Sequence, residues 1–149
     1  MVDVPRSVPR TGAPPIRTVT TVVSVVFLLV GIAGFIPGIT THYSTMSFAG
    51  HDSGAKLLGV FQVSILHNIV HLLYGVVGLI MARSAAAARG YLIAGGAVYL
   101  ILWIYGLVTD KMSSANFVPI NRPDDWLHFV LGVAMIGLGL ALGRRYTAR

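Results

Sequence analysis

The stretch "VFQVSILHNIVHLLYGV" (60–76) decides the fold, because it sets two histidines and an asparagine inside a run otherwise apolar enough to enter a bilayer. Shifting the chain by 57 positions lays it over "FVPINRPDDWLHFVLGV" (117–133). The shift superimposes His71 on His128, Gly75 on Gly132, Asn68 on Asp125 and Ser64 on Asn121. Chance rarely aligns four such positions, so the two stretches read as copies of one helical module.

The second copy carries its own start signals. Asn121 is a good N-cap, Pro123 is tolerated in a first turn, and Asp124 and Asp125 suit the positive end of a helix dipole. By the repeat, the helix bearing His67 and His71 starts near Ser64, and "LLGVFQV" (57–63) becomes an extended or interfacial stretch before it. His71 and His128 then lie seven residues beyond their caps, which is roughly 10 Å along each helix. That depth is shallow, near the interface and not at the bilayer centre.

Composition agrees with a bilayer as the surrounding solvent. Of 149 residues, 55% are hydrophobic and 11% are charged, whereas soluble domains carry about 25% charged residues. A span needs about 20 apolar residues. The uncharged runs 18–36, 57–82, 90–109 and 126–143, with two starts adjusted by the repeat, predict four, at about 18–36, 64–82, 90–109 and 122–143. The expected fold is therefore all-α: a polytopic membrane protein with four transmembrane helices arranged as two tandem helical hairpins. The apolar length of the first run exceeds that of a signal-peptide core, and no convincing small-residue cleavage site follows it, so it is read as a retained span.

Arg6, Arg10 and Arg17 precede the first run, Arg83 and Arg89 separate the second and third, and Arg144, Arg145 and Arg149 follow the fourth. The other two joints hold Lys56, Lys111 and Arg122 with four of the five acids. The positive-inside rule then places both termini in the cytoplasm. Residues 1–17 hold four of the seven prolines and read as a disordered basic tail, with a second basic tail over 144–149. Basic residues scattered between apolar runs make no nucleic-acid patch, so the expected partners are the lipid bilayer and possible second membrane chains, through another protein or self-association. The absence of cysteine removes disulfides, thiolate metal sites and cysteine nucleophiles.

Helical spacing aims the polar residues. His67, His71, Gly75, Gly78 and Ala82 share one face of their helix, and Asp125, His128, Gly132, Met135, Gly139 and Gly143 share the equivalent face of the last helix. Small residues let helices approach closely in lipid, and polar groups there bond across the contact for about 0.6–2 kcal/mol each. The simplest reading of His67, Asn68, His71, Asp125 and His128 is a structural polar clasp, which also equates His71 with His128 in importance to stability. Three alternatives use the same residues. His67, His71, Asp125 and His128 form a candidate ligand set for a metal ion, His71 and His128 could hold a haem, and an outward-facing cluster could sense pH. No relay of acids or histidines continues inward, which argues against proton transport.

Lesser candidates are the loop residues His42, His51 and Asp52, read as solvated, with an ion site shared with His67 as the alternative, and "GLALG" (139–143), which fits a GxxxG self-association pattern. Trp126, Tyr99, Trp103 and Tyr105 read as interface or bundle-packing aromatics. No nucleotide loop, nucleophile elbow, HExxH motif or catalytic carboxylate pair occurs, so no enzyme and no resident cofactor are expected. At "LLGVFQVSILHNIVHLLYGVVGL" (57–79) and "NRPDDWLHFVLGVAMIGLGL" (121–140) the chain resembles the domain-of-unknown-function 4383 family, integral membrane proteins found mainly in actinobacteria. The HNxxHLxxGxxG and DxxLHxxLG patterns carry the resemblance. It implies a four-helix protein of the cell inner (plasma) membrane without implying a reaction, which leaves a non-enzymatic scaffold or accessory subunit as the expected role and an outer-leaflet metal-binding or pH-sensing protein as the alternative.

Overall fold

The computed structural model describes residues 15–147. Four helices form a bundle: α1 (Pro15–Ala33), α2 (Ile65–Met81), α3 (Ala85–Val108) and α4 (Arg122–Thr147). Three of them, Pro15–Ala33, Ala85–Val108 and Arg122–Gly143, are long and apolar enough to cross a membrane, and α2 is a shorter apolar helix. The three short strands β1 (Thr40–Thr41), β2 (Lys56–Leu57) and β3 (Phe61–Gln62) all lie in the α1–α2 connector.

The caps explain the boundaries. Ser64 holds an extended backbone and its hydroxyl accepts from the His67 amide, which starts α2 where the repeat places it. Ser84 does the same for α3 through the Ala87 amide, 3.1 Å away. The alanine-rich turn after Ser84 is therefore helical, so α3 begins at Ala85 and not at residue 90, with Arg89 inside it. Asn121 starts α4 with a reciprocal capping box: its Oδ1 accepts from the Asp124 amide (3.1 Å) while Asp124 Oδ2 accepts from the Asn121 amide (2.8 Å). Such exchanges satisfy two of the orphan donors of a helix start. The tail expected over 1–17 lies outside the described residues up to residue 14, while 15–17 form the first turn of α1, where proline's missing amide costs no bond. The second tail is likewise shortened, because α4 continues to Thr147, and 148–149 lie outside the described residues.

The extended reading of 57–63 becomes a small antiparallel sheet in the order β1-β2-β3, pairing Thr40 with Leu57 and Leu57 with Phe61. Its tight turn places Leu58 at φ 53° and Gly59 at φ 74°. A leucine in the left-handed region is sterically costly, so the surrounding structure must hold it there.

The duplication reaches further than the sequence shift of 57. α1 and α3 correspond at a separation of 72 positions, pairing Ser24 with Gly96, Phe27 with Tyr99, Leu28 with Leu100 and Gly34 with Gly106. A Cβ built on Gly75 would meet Leu28 and the Ser24 carbonyl, and one on Gly132 would meet Leu100 and the Gly96 carbonyl. The α1–α2 and α3–α4 hairpins thus close on equivalent atoms. Phe27 and Tyr99, the matched pair, stack on each other at 5.4 Å and 16° between the hairpins. Both lie in the main core with Ile16, Tyr91, Leu92 and Met135. The two separations differ because the first connector is the longer one, and its surplus is the sheet.

Candidate functional site: a histidine layer between the hairpins

Near the connector end of the bundle, α2 contributes His67 and His71, and α4 contributes Asp124 and His128; all four are buried. The Ser64 cap fixes the first turn of α2, which turns His67 toward the second connector. There His67 Nδ1 lies 3.3 Å from the Pro119 carbonyl, and its Nε2 lies 3.1 Å from His71 Nε2. A carbonyl only accepts, so His67 carries its proton on Nδ1 and offers a lone pair at Nε2. His71 must then donate from Nε2, which leaves its Nδ1 as a bare acceptor. That Nδ1 is buried without a partner, as is Nδ1 of His128. His71 meets the edge of Phe27 at 5.7 Å and His128 meets Tyr99 at 5.2 Å, so the repeat-related imidazoles sit against the repeat-related rings.

The bonds between hairpins are reciprocal. His67 and Asp124 are related by the 57-residue shift, and so are Gln62 and Pro119. His67 reaches the Pro119 carbonyl, and Asp124 Oδ2 accepts from the Gln62 amide at 3.1 Å. Each module therefore ties its helix start to the residue ahead of the other module's helix. Asn121 adds a third tie, its Nδ2 donating to the Val60 carbonyl at 2.7 Å. Asn116 shapes the loop that presents Pro119: its Oδ1 accepts from the Ile120 amide at 3.1 Å, and its Nδ2 donates to the Lys111 carbonyl at 3.1 Å and the Ile120 carbonyl at 3.3 Å.

Two members of the expected clasp work elsewhere. Asp125 faces α3, where Lys111 Nζ donates to its Oδ1 at 2.8 Å and to the Gly106 carbonyl at 2.7 Å. Asn68 faces α1, packed where a Cβ on Gly34 would fall, with its Nδ2 3.9 Å from Met46 Sδ. The equivalence of Asn68 and Asp125 holds, but each joins the two helices of its own hairpin and does not reach across. The residue that does reach across is Asp124, one position earlier and four before His128, where the helix turn carries it to the face of α4 toward β3. Its signal in the sequence is the Asn121-to-Asp124 capping spacing. Asn116 has no comparable signal, because its role is set by a loop conformation.

The ligand set of His67, His71, Asp125 and His128 is consequently not assembled. Among the described residues, no group of three or more His, Asp or Glu side chains is placed to hold a metal ion. His51 pairs with its neighbour Asp52 at 3.3 Å, and the ring of His67 is committed to Pro119 and His71. Gly139 and Gly143 are also spent within the chain. A Cβ on Gly139 would meet Leu92 and Ile93, and one on Gly143 would meet Arg89, so the GxxxG face packs on α3 and is not free for self-association. Gly78 lies against Ser24 and Tyr91.

The family model described as Domain of unknown function (DUF4383) matches residues 17–141. No curated protein and no solved structure matches the chain.

Proposed function

The chain belongs to the DUF4383 family, and from the geometry above we propose that it is a non-enzymatic membrane protein acting as a scaffold or accessory subunit. One observation carries this reading: the buried His67 and Asp124, one from each module, tie one hairpin to the other at the connector end. His67 with Pro119, Asp124 with Gln62 and Asn121 with Val60 hold the bundle shut. In this reading α2 is the fourth span. In the sequence Arg17, Arg83, Arg89, Arg144, Arg145 and Arg149 at the terminal end outnumber Lys56, Lys111 and Arg122 at the connector end, which favours cytoplasmic termini, with the plasma membrane as the proposed location.

The native chain has no cysteine, so single-cysteine labelling tests the topology cleanly. On intact cells, His51→Cys is expected to react with an impermeant maleimide, and Ser7→Cys only after permeabilisation; the reverse pattern overturns the orientation. The accessory role is tested by cross-linking in the membrane before gentle extraction. A defined partner at fixed stoichiometry is expected, and a chain that remains alone at every cross-linker concentration refutes it.

A further inference from the structure

The histidine layer has a cavity on each side, and the two-fold relation makes them counterparts: Leu102 and Val70 border the first where Val30 and Leu127 border the second. Their sizes differ greatly. The first holds about 40 Å³ and the second about 230 Å³. The first is bordered by Tyr105 and Ile120; the equivalent positions on the other side are Ala33 and Val63, so smaller side chains leave the second cavity open. Its rim includes Leu58, the left-handed residue of the β2–β3 turn, which is 67% exposed.

The larger cavity has a mostly apolar wall and a polar one. His71 and Asp124 stand on the polar wall, and both offer acceptors. The imidazole chain makes His71 Nδ1 a lone pair without a donor. Both backbone amides that reach Asp124 bond to Oδ2, and among the described residues Oδ1 takes none. A fully buried acceptor without a donor, as His71 Nδ1 is, is costly. A dry cavity of about 150 Å³ accepts benzene, so this one accommodates a single substituted ring. We infer that the cavity under the β2–β3 turn binds one hydroxylated ring of the phenol or hydroquinone class. Its O–H donates to His71 Nδ1, while its ring packs on Val30, Val63 and Leu127. The ring arrives either as a free phenol or as the headgroup of a lipid-soluble hydroquinone, and the recognition chemistry is the same.

The test is fluorine NMR of the full chain in lipid nanodiscs, titrated with 4-fluorophenol and with fluorobenzene, which has the ring but no donor. Saturable binding of the phenol is expected, with fluorobenzene at least about tenfold weaker, the size of one hydrogen bond. Val30→Phe fills the cavity away from the polar wall and is expected to abolish binding while leaving the unfolding temperature unchanged or raised. His71→Leu should bring the two ligands to equal affinity; if that variant does not fold, Val30→Phe still decides the matter. Equal affinities in the native chain would show an apolar void only, and identical isotherms for native and Val30→Phe protein would show bilayer partitioning; either overturns the inference. No saturable binding, as for a cavity filled by water alone, overturns it too. Decylhydroquinone displacing 4-fluorophenol assigns the lipid-borne source, and failure to displace a bound phenol assigns the free one.

Discussion

The two hairpins share a geometry and differ in chemistry. In α1–α2, neutral Asn68 fills the space beside Gly34; in α3–α4, Asp125 occupies the same place beside Gly106 and is 5% exposed. An amide there is content with weak local partners, but a carboxylate needs a cation, and Lys111 supplies one at 2.8 Å. The long first connector covers its hairpin with a sheet, whereas the short second one is shaped around Asn116. The comparison teaches that close helix contact is held in common, through Gly75 on Leu28 and Gly132 on Leu100, while the polar filling around it is free to diverge.

The largest test of that divergence removes the cation. Lys111→Met should cost about 3 kcal/mol, toward the low end for breaking a buried pair because Lys111 is itself 28% exposed. Adding Asp125→Asn, the residue type of the first hairpin, should recover most of the loss. Thermal unfolding in detergent measures both, and a double variant no more stable than Lys111→Met would show that the two hairpins do not share this environment. Next comes the shared feature. Gly75→Ala places a Cβ 2.8 Å from the Ser24 carbonyl, and Gly132→Ala places one 2.9 Å from that of Gly96. Each should cost about 2 kcal/mol, since the helices must part to admit the methyl group. Unequal costs would break the two-fold relation at its centre.

A smaller effect separates the imidazoles. The sequence repeat predicts equal losses for His71→Leu and His128→Leu. The structure predicts unequal ones, because His71 serves His67 at 3.1 Å whereas His128 Nδ1 has no partner to lose. His71→Leu should cost about 1–2 kcal/mol by stranding a buried acceptor, and His128→Leu markedly less. Matching values would restore the simpler equivalence.

Helix count, the hairpin order and the Ser64 and Asn121 starts were all legible in the sequence, because apolar length, cap chemistry and the 57-residue shift are local or periodic signals. The α1–α3 correspondence was not. Of its four matches, Ser24 with Gly96 and Phe27 with Tyr99 change residue type, Leu28 with Leu100 and Gly34 with Gly106 pair residues common in apolar helices, and all lie at a different separation because the connectors differ in length. The choice of Asp125 over Asp124 failed for a related reason. Both are compatible with one broad face at helical spacing, and only the position of β3, folded from a distant stretch, distinguishes them. The fate of Gly139 and Gly143 was equally invisible, since a GxxxG pattern does not say whether the helix it meets belongs to the same chain.

The smallest expected effect concerns the caps, where Asn121 stands in the place of Ser64. Ser64 accepts a single amide, from His67 at 3.1 Å. Asn121 accepts one from Asp124 at 3.1 Å and also donates to the Val60 carbonyl at 2.7 Å. Ser64→Ala should therefore cost about 1 kcal/mol and Asn121→Ala somewhat more, about 1–2 kcal/mol. Asn121→Ser gives the second copy the first copy's cap and deletes only the tie to Val60. Because that bond is solvent-exposed, its loss should amount to roughly 0.5 kcal/mol. A loss as large as that of Asn121→Ala would mean that Asn121 matters for joining the hairpins and not for starting α4, and the two helix starts would then be alike in place but not in cause.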